Sequence, residues 1–129
     1  MAWKQTVRDN YIGMKEELFQ AGGQTRIDRH HARGKLTARE RMEALFDNGQ
    51  FNEIEMYAKS QVELEDVKKK HYLGDGVVCG YGQVNGKTVY AVSEDATISG
   101  GASGATQVEK MCRTIEQAIA ARKPFIMLC

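Results

Sequence analysis

Proline, long apolar runs and an excess of charge of either sign are scarce or missing in this sequence of 129 residues. Its single proline, Pro124, excludes a proline-rich linker, and the net charge of +1 does not by itself indicate a nucleic-acid partner. No apolar run is long enough to span a membrane. Lys4, Arg8, Asp9 and Lys15 interrupt the apolar segment that a signal peptide would need. We therefore expect a cytoplasmic globular protein that binds no nucleic acid.

Metal-binding and catalytic patterns are also missing. Cys79, Cys112 and Cys129 lie far apart and form no Cys-x-x-Cys pair, so a zinc ribbon within the chain is excluded. The neighbours His30 and His31 cannot face the same way on a helix or strand, which makes them a poor metal pair. We predict free thiols, as in a reducing cytosol, no metal site and no catalytic residue within the chain.

Residues 89–129 have the pattern of a strand, a glycine-rich loop, a helix and a second strand. Apolar residues recur in the helix every three or four positions, and polar residues fall on the other side. The expected buried face is Val108, Met111, Cys112, Ile115, Ala118 and Ile119; the expected outer side is Lys110, Arg113, Glu116 and Gln117. The apolar run after Pro124 predicts a buried strand parallel to the first, with a right-handed crossover.

The second of these strands reaches its carboxyl end at Cys129, the last residue. Ligands of open parallel sheets bind outside the carboxyl ends of the strands. The loop that should carry chemistry would therefore follow Cys129. We expect the chain to be the front part of a larger domain and to be inactive alone.

The loop Ser99–Gly104 has two interpretations. Three glycines and two serines lead into a helix N-terminus, where unpaired amides and the helix dipole attract anions. The same glycines would also suit a tight strand-to-helix turn. Ser103 or Thr106 is the expected N-cap, and Thr106–Glu109 has the pattern of a capping box.

The N-terminal segment Met1–Ala21 has the pattern of a helix that ends at Gly22-Gly23. Its apolar stripe predicts a docking face towards the rest of the protein or a second subunit: Trp3, Val7, Tyr11, Met14, Leu18 and Phe19. The following segment Gln24–Lys35 is expected to be a basic connection. Its arginines and Lys35 either pair with nearby acids or hold phosphate groups of a nucleotide-like ligand.

Local signals are strongest in the middle of the chain. Thr37 to Glu40 has the pattern of a capping box that opens a helix, which Asp47-Asn48-Gly49 should end. A strand is expected at Phe51–Tyr57 and a flexible loop or edge element at Ser60–Lys70. Asn85-Gly86, between two strand-like runs, predicts a hairpin over residues 71–93.

Several of these segments resemble carboxyltransferase subunits of biotin-dependent acyl-CoA carboxylases and their decarboxylase relatives. The resemblance covers nearly the whole chain, and its segments come in the order and spacing of that family. They are Gly34–Arg41, Leu45–Glu53, Gly74–Gly82, Asn85–Tyr90 and Glu94–Gly104. The resemblance implies an α/β, crotonase-like fold of repeated β-β-α units, here an N-terminal fragment. It also implies an N-terminal part at residues 1–36 and the start of the carboxyltransferase domain at residues 37–129.

The resemblance implies transfer of a carboxyl group between biotin and an acyl-CoA. The biotin would be carried on a partner, and the other expected partners are a biotin carboxylase component and further copies of the chain. Glycine-rich loops of the family stabilise oxyanions with backbone amides. The site residues carried over for substrate or CoA binding are Gly100, Gly101, Ser103, Gly104, Arg33 and Lys35.

Two alternatives accompany this interpretation. One is the α subunit of a biotin-dependent acyl-CoA decarboxylase, which works with membrane subunits. The other is a non-catalytic fragment used for subunit docking. The missing N-terminal zinc ribbon favours the propionyl-CoA, methylcrotonyl-CoA or decarboxylase types. Leu73 and Ala96 depart from the proline and the aromatic residue that the family often has there.

Overall fold

The computed structural model describes residues 1–59, 72–101 and 104–129, which form one four-stranded sheet and its helices. The elements are α1 (Ala2–Phe19), α2 (Gln24–His31), α3 (Ala38–Leu45), β1 (Phe51–Glu53), β2 (Val77–Val84), β3 (Lys87–Glu94), α4 (Ala105–Ala121) and β4 (Phe125–Leu128). Short 3-10 turns lie at Asp47–Gly49 and Ser99–Gly101. The expected strand, loop, helix and strand at the end of the chain are confirmed, but the last strand is not buried as expected: its residues are half-buried and Met127 is exposed.

The sheet has the strand order β1-β2-β3-β4. β2 pairs with both β1 and β3 in antiparallel fashion, and β3 pairs with β4 in parallel. The predicted hairpin is confirmed, with Val84 opposite Lys87 and the turn at Asn85-Gly86. Both turn residues have positive φ (51° and 73°), which is the conformation that favours asparagine and glycine in tight hairpins.

The predicted capping box opens α3. The amide of Glu40 donates to the Thr37 hydroxyl (3.3 Å), and the Thr37 amide donates to the Glu40 carboxylate (2.7 Å). At the other end, Asp47 accepts hydrogen bonds from the amides of Asn85 and Gly86, both at 2.9 Å. The end of α3 is thereby tied to the turn of the hairpin.

α3 and α4 cover opposite faces of the sheet. On the α3 side, the buried apolar cluster is Ala38, Met42, Phe46, Val78, Val89 and Ala91. On the α4 side, the cluster is Val77, Cys79 and Val92, with Met111 and Phe125 packed against it. Because side chains alternate along a strand, Val78 and its neighbours Val77 and Cys79 serve different faces.

Two expectations about the first half of the chain are wrong. Residues 24–31 form helix α2 instead of an irregular basic connection. Their polar side chains have no apolar stripe, and no residue of α2 is buried, so periodicity gave no signal. The strand expected at Phe51–Tyr57 ends at Glu53, because Glu55 adopts a positive φ of 51° and turns the chain. The loop expected at Ser60–Lys70 lies outside the described residues.

Helix α1 has a single buried residue, Leu18. The rest of its predicted docking stripe is exposed, from Trp3 (66%) to Met14 (38%). Tyr11 makes one edge-on contact with Tyr57, at 5.7 Å between ring centroids. Among the described residues, no helix is long and apolar enough to cross a membrane.

Candidate functional site

The orientation of α4 differs from the expectation. Its buried residues are Gln107, Lys110, Thr114 and Ala118, whereas Val108 (48%) and Ile119 (70%) of the expected buried face are exposed. Cys112 is exposed as well. The helix thus turns a largely polar side towards the sheet and leaves much of its apolar stripe uncovered. The expected outer position of Lys110 is wrong because its ammonium finds buried acceptors.

Lys110 is completely buried against the turn that precedes β2. Its Nζ donates to the carbonyl oxygens of Gly74 (2.8 Å) and Val77 (2.9 Å). Burial lowers the pKa of Lys110, and burial also raises the pKa of the neighbouring Cys79 thiol. Thr114 bonds back to the Lys110 carbonyl at 2.8 Å. Lys110 and Thr114 are therefore paired with backbone carbonyls, whereas the side-chain Nε2 of Gln107 is buried with no partner among the described residues.

The N-terminus of α4 is occupied by a carboxylate of the chain itself. Asp75 Oδ2 accepts a hydrogen bond from the backbone N–H of Gln107 at 3.0 Å. The N-cap is Gly104, which offers no side-chain cap. Thr106 lies inside the helix and its hydroxyl donates to the Lys59 carbonyl, so the second capping box is wrong. Ser103 lies outside the described residues. Asp75 thus supplies the negative charge that a helix N-terminus favours.

An open cleft of about 530 Å³ lies beside the other end of the glycine-rich loop. Its lining residues are His30, Lys35, Leu36, Arg41, Glu94, Ala96, Gly100, Gly101 and Cys129. Three of the residues carried over from the sequence meet here: Lys35, Gly100 and Gly101. Arg33 does not line the cleft, and Gly104 lies against Asp75.

The glycine-rich turn at the cleft is tight. Ser99, Gly100 and Gly101 all have positive φ, from 48° to 83°, and the Gly101 amide donates to the Ile98 carbonyl at 2.9 Å. This conformation is one that glycine adopts without steric cost. The turn interpretation is therefore confirmed for Ser99–Gly101, and the same turn forms one wall of the cleft.

Arg41 is the cleft residue that sequence reasoning missed. Its Nη2 donates to the Glu94 carbonyl at the end of β3, while its Nε is buried with no partner in the part of the chain that the structure describes. Arg41 lines the cleft, and a guanidinium group suits an anionic or carbonyl ligand. The capping box at Thr37–Glu40 was the sequence feature that could have pointed to Arg41. The box fixes the first turn of α3, in which the backbone N–H of Arg41 donates to the Thr37 carbonyl at 3.0 Å.

The end of α2 brings further basic groups to the cleft. His30 Nε2 lies 3.1 Å from the Leu36 carbonyl, and the Lys35 amide donates to the His30 carbonyl at 3.3 Å. A carbonyl oxygen can only accept, so Nε2 carries the proton of that contact. The cleft holds Lys35, Arg41 and His30 against one acid, Glu94, which favours a negatively charged ligand. Among the described residues, no three His, Cys, Asp or Glu side chains converge as metal ligands.

Comparison with known proteins identifies the family. The model of the carboxyl transferase domain matches residues 29–129. The chain belongs to the carboxyl transferase domain family. It is 42% identical over 105 residues to the propionyl-CoA carboxylase beta chain of Roseobacter denitrificans, covering 81% of this chain and 21% of that protein. It is also 42% identical over 125 residues to the mitochondrial propionyl-CoA carboxylase beta chain of Homo sapiens, covering 95% and 23%.

The fold agrees with solved carboxyltransferases. A structure of transcarboxylase 12S, described as a hexamer assembly with methylmalonyl-coenzyme A and methylmalonic acid bound, superposes with a TM-score of 0.88. The sequence identity is 35%, over 96% of this chain and 24% of that one. The resemblance and the crotonase-like α/β fold expected from the sequence are therefore confirmed. The chain spans roughly a fifth to a quarter of the length of these family members.

Proposed function

We propose that the whole protein is the carboxyltransferase subunit of a biotin-dependent acyl-CoA carboxylase of the propionyl-CoA or methylcrotonyl-CoA type. It would transfer a carboxyl group between carboxybiotin and an acyl-CoA in the cytoplasm. The observation that carries this proposal is the cleft in which Lys35 and Arg41 face the turn at Gly100-Gly101. Family membership and the propionyl-CoA carboxylase relatives support the choice of reaction.

The residues of this chain would bind and orient the acyl-CoA. Lys35 and the guanidinium of Arg41 suit phosphate or carboxylate oxygens, because charged donors make the stronger hydrogen bonds. The Gly100-Gly101 turn has no side chains, so a ligand can approach its backbone closely. Biotin on a carrier protein would supply the carboxyl group. The cleft is open to solvent, so a ligand carried by a partner could enter it.

Oligomerisation and partner binding form part of the proposal. The exposed apolar residues of α1, including Trp3, Val7 and Tyr11, suit a contact with a further copy of the chain. The assembly of transcarboxylase 12S as a hexamer supports this expectation. We also expect a biotin carboxyl carrier and a biotin carboxylase component as partners.

The test uses the full-length polypeptide with carboxybiotin and a panel of acyl-CoA substrates. Arg41→Gln should raise KM for the preferred acyl-CoA about 10- to 100-fold, since a charged hydrogen bond contributes about 1.5–3 kcal/mol. Arg29→Gln is the matched control: Arg29 is exposed on α2 and does not line the cleft. Failure of the wild-type protein to carboxylate any acyl-CoA would reject the proposed function. Equal KM values for the two variants would reject the cleft as the binding site.

A second candidate is the α subunit of a biotin-dependent acyl-CoA decarboxylase. It is favoured by 40% identity over 104 residues to the methylmalonyl-CoA decarboxylase subunit alpha of Propionigenium modestum. Such a protein would work with membrane decarboxylase subunits. Copurification with those subunits and sodium-dependent turnover would favour this candidate, whereas dependence on a biotin carboxylase and ATP would favour the first.

A further inference from the structure

The turn Gly74–Val77, which leads into β2, is enclosed by the segment that follows β3. The Asp95 amide donates to the Gly76 carbonyl at 2.8 Å. Ile98 packs so closely that a Cβ on Gly76 would lie 3.4 Å from its Cγ2. Ile98 is also the residue whose carbonyl accepts the amide of Gly101. The start of the glycine-rich loop therefore rests on this turn.

The other end of the loop rests on the same turn. Gly104, the N-cap of α4, lies so near Asp75 that a Cβ there would be 3.1 Å from Oδ2. That oxygen also holds the Gln107 amide at 3.0 Å. Ile98 and Gly104 flank the glycine-rich residues of the cleft wall, so both ends of that wall are anchored on four consecutive residues.

Two hydrogen-bonded contacts of opposite polarity join the turn to α4. A carboxylate of the turn, Asp75, caps the helix, and an ammonium of the helix, Lys110, caps the turn at the carbonyls of Gly74 and Val77. Lys110 is fully buried, so both of its acceptors are shielded from water. We refer to Asp75 and Lys110 with these partners as the polar latch. Buried charged hydrogen bonds of this kind hold geometry more tightly than exposed pairs do.

We propose that Asp75 and Lys110 are positioning residues for the acyl-CoA site, which act by fixing the Gly100-Gly101 wall of the cleft through both of its ends. This inference rests on the proposed function, because it assumes that the wall contacts the acyl-CoA. Neither residue lines the cleft, so any effect on turnover must pass through the loop. Small displacements of a binding wall are enough to slow a reaction, by about 10²-fold for roughly 1 Å.

The experiment compares four variants of the full-length protein: Lys110→Met, Asp75→Ala, Asp75→Asn and Val89→Ala. Each of the first two variants removes one half of the polar latch: Lys110→Met removes the hydrogen bonds to the carbonyls of Gly74 and Val77, and Asp75→Ala removes the one to the helix N-terminus. Asp75→Asn keeps a side-chain oxygen that can accept a hydrogen bond from the backbone N–H of Gln107. It should therefore retain most of the function that Asp75→Ala loses. Val89 is buried near the start of β3, far along the strand from the loop, and serves as the control for stability alone.

The first readout is amide hydrogen exchange in a peptide that contains Ser99–Gly101, and the second is kcat/KM for the preferred acyl-CoA. Lys110→Met and Asp75→Ala should speed exchange about tenfold, as expected for the loss of a buried hydrogen bond, and should lower kcat/KM by about 10²-fold. Asp75→Asn should stay within a few-fold of the wild type. Val89→Ala should lower Tm with little change in either readout.

Unchanged exchange in the loop peptide of both latch variants would overturn the inference, whether or not the wild type turns over acyl-CoA. Faster exchange with unchanged kcat/KM would overturn the positioning role and leave a purely structural latch. Equal effects of Val89→Ala and the latch variants on kcat/KM would also overturn the positioning role, because a loss of stability alone would then explain the slower turnover. A wild-type protein without acyl-CoA turnover would reject the proposed function, and the exchange measurement would still decide whether the latch fixes the loop.

Discussion

The two faces of the sheet are closed by different kinds of chemistry. Under α3, apolar side chains fill the space, and Met42 is completely buried. Under α4, the largest fully buried side chains belong to Lys110 and Gln107. The α3 face is therefore held by apolar packing, whereas the α4 face combines a smaller apolar cluster with hydrogen bonds to particular carbonyl and carboxylate oxygens. Hydrogen bonds of this kind can fix the position of a loop segment such as Gly100-Gly101, which has no side chains with which to anchor itself.

The difference also separates the ways in which the two faces can fail. An apolar face loses stability when a cavity is opened or an extra atom is inserted. A polar face loses stability when one partner of a buried hydrogen bond is removed. Lys110 and Cys79, two titratable groups whose pKa values burial shifts, lie on the polar face, so this face should respond to alkaline pH.

The largest effect is expected on the apolar face. Met42→Ala should lower the free energy of unfolding by about 2–5 kcal/mol, because the cavity lies between α3 and the sheet and cannot reach solvent. Chemical denaturation measures the loss. Glu43→Ala, at the exposed neighbouring position, should change stability by less than about 0.5 kcal/mol. A loss of similar size in both variants would show that close apolar packing does not hold the α3 face together.

On the polar face, Lys110→Met should cost about 1–3 kcal/mol at neutral pH, since two buried carbonyl oxygens lose their donor. The wild type should also gain stability relative to the variant as the pH rises from the lowered pKa of Lys110 towards its ordinary value of 10.5. In that window the unfolded state binds more protons than the folded state, so raising the pH favours folding.

Urea unfolding of both proteins at a series of alkaline pH values measures this difference. Cys79 contributes with the opposite sign, because burial raises its pKa. The charge of Lys110 lowers that pKa, so the loss of stability from Cys79 at high pH should be no smaller in the variant than in the wild type. Parallel stability curves for the wild type and Lys110→Met would contradict the prediction. They would mean that the buried ammonium titrates as it does in the unfolded chain.

Gly82→Ala tests whether the apolar face has room for one more atom. The added methyl group would lie 2.8 Å from the Phe46 ring and 2.9 Å from the Gln50 carbonyl, so the edge of the sheet must shift. We expect a loss of about 1–3 kcal/mol in thermal or chemical denaturation. Gly13→Ala on α1, where nothing lies within 4 Å, should instead stabilise the protein by about 0.5–1 kcal/mol. Equal effects at the two glycines would argue against close packing at Gly82.

The smallest effect concerns the entrance to α3. Thr37→Ala removes one hydrogen bond of the capping box and should lower the free energy of unfolding by about 1 kcal/mol.

Hydrogen bonds from His31 and the backbone N–H of Thr37 lower the pKa of Glu40. The contribution of Glu40 to stability is therefore present above pH 4.5 and is lost as the pH falls through the lowered pKa. Denaturation between pH 3 and pH 6 should show a weaker pH dependence for Glu40→Gln. An unchanged profile would contradict the assigned role of the box.

The parts of the fold that the sequence predicts correctly are those with local chemistry. Asn85-Gly86 and the Thr37–Glu40 box act on neighbours in the chain, so their residue types identify them. Helix α4 was located correctly, but its orientation was not. Periodicity shows which side of a helix is apolar and cannot show that Lys110 will find acceptors at Gly74 and Val77, more than 30 positions earlier.

The candidate site was predicted in part for the same reason. Lys35, Gly100 and Gly101 meet in the cleft, as basic and glycine-rich segments suggested. Arg41 was missed because its role depends on the carbonyl of Glu94, at the end of a strand 53 positions later in the sequence. The anion that one of the two interpretations placed at the helix N-terminus is a side chain of the chain itself, Asp75, which no motif in the loop could reveal.

The order of the strands in space is the same as their order in the chain. Each strand after the first therefore pairs with the strand that precedes it in the sequence. The longest connection between two paired strands is the one that contains α4, between β3 and β4. Pairings between near neighbours in sequence cost little chain entropy and form quickly. The sheet of this unit is therefore suited to form early in folding, before contacts between residues far apart in sequence are made.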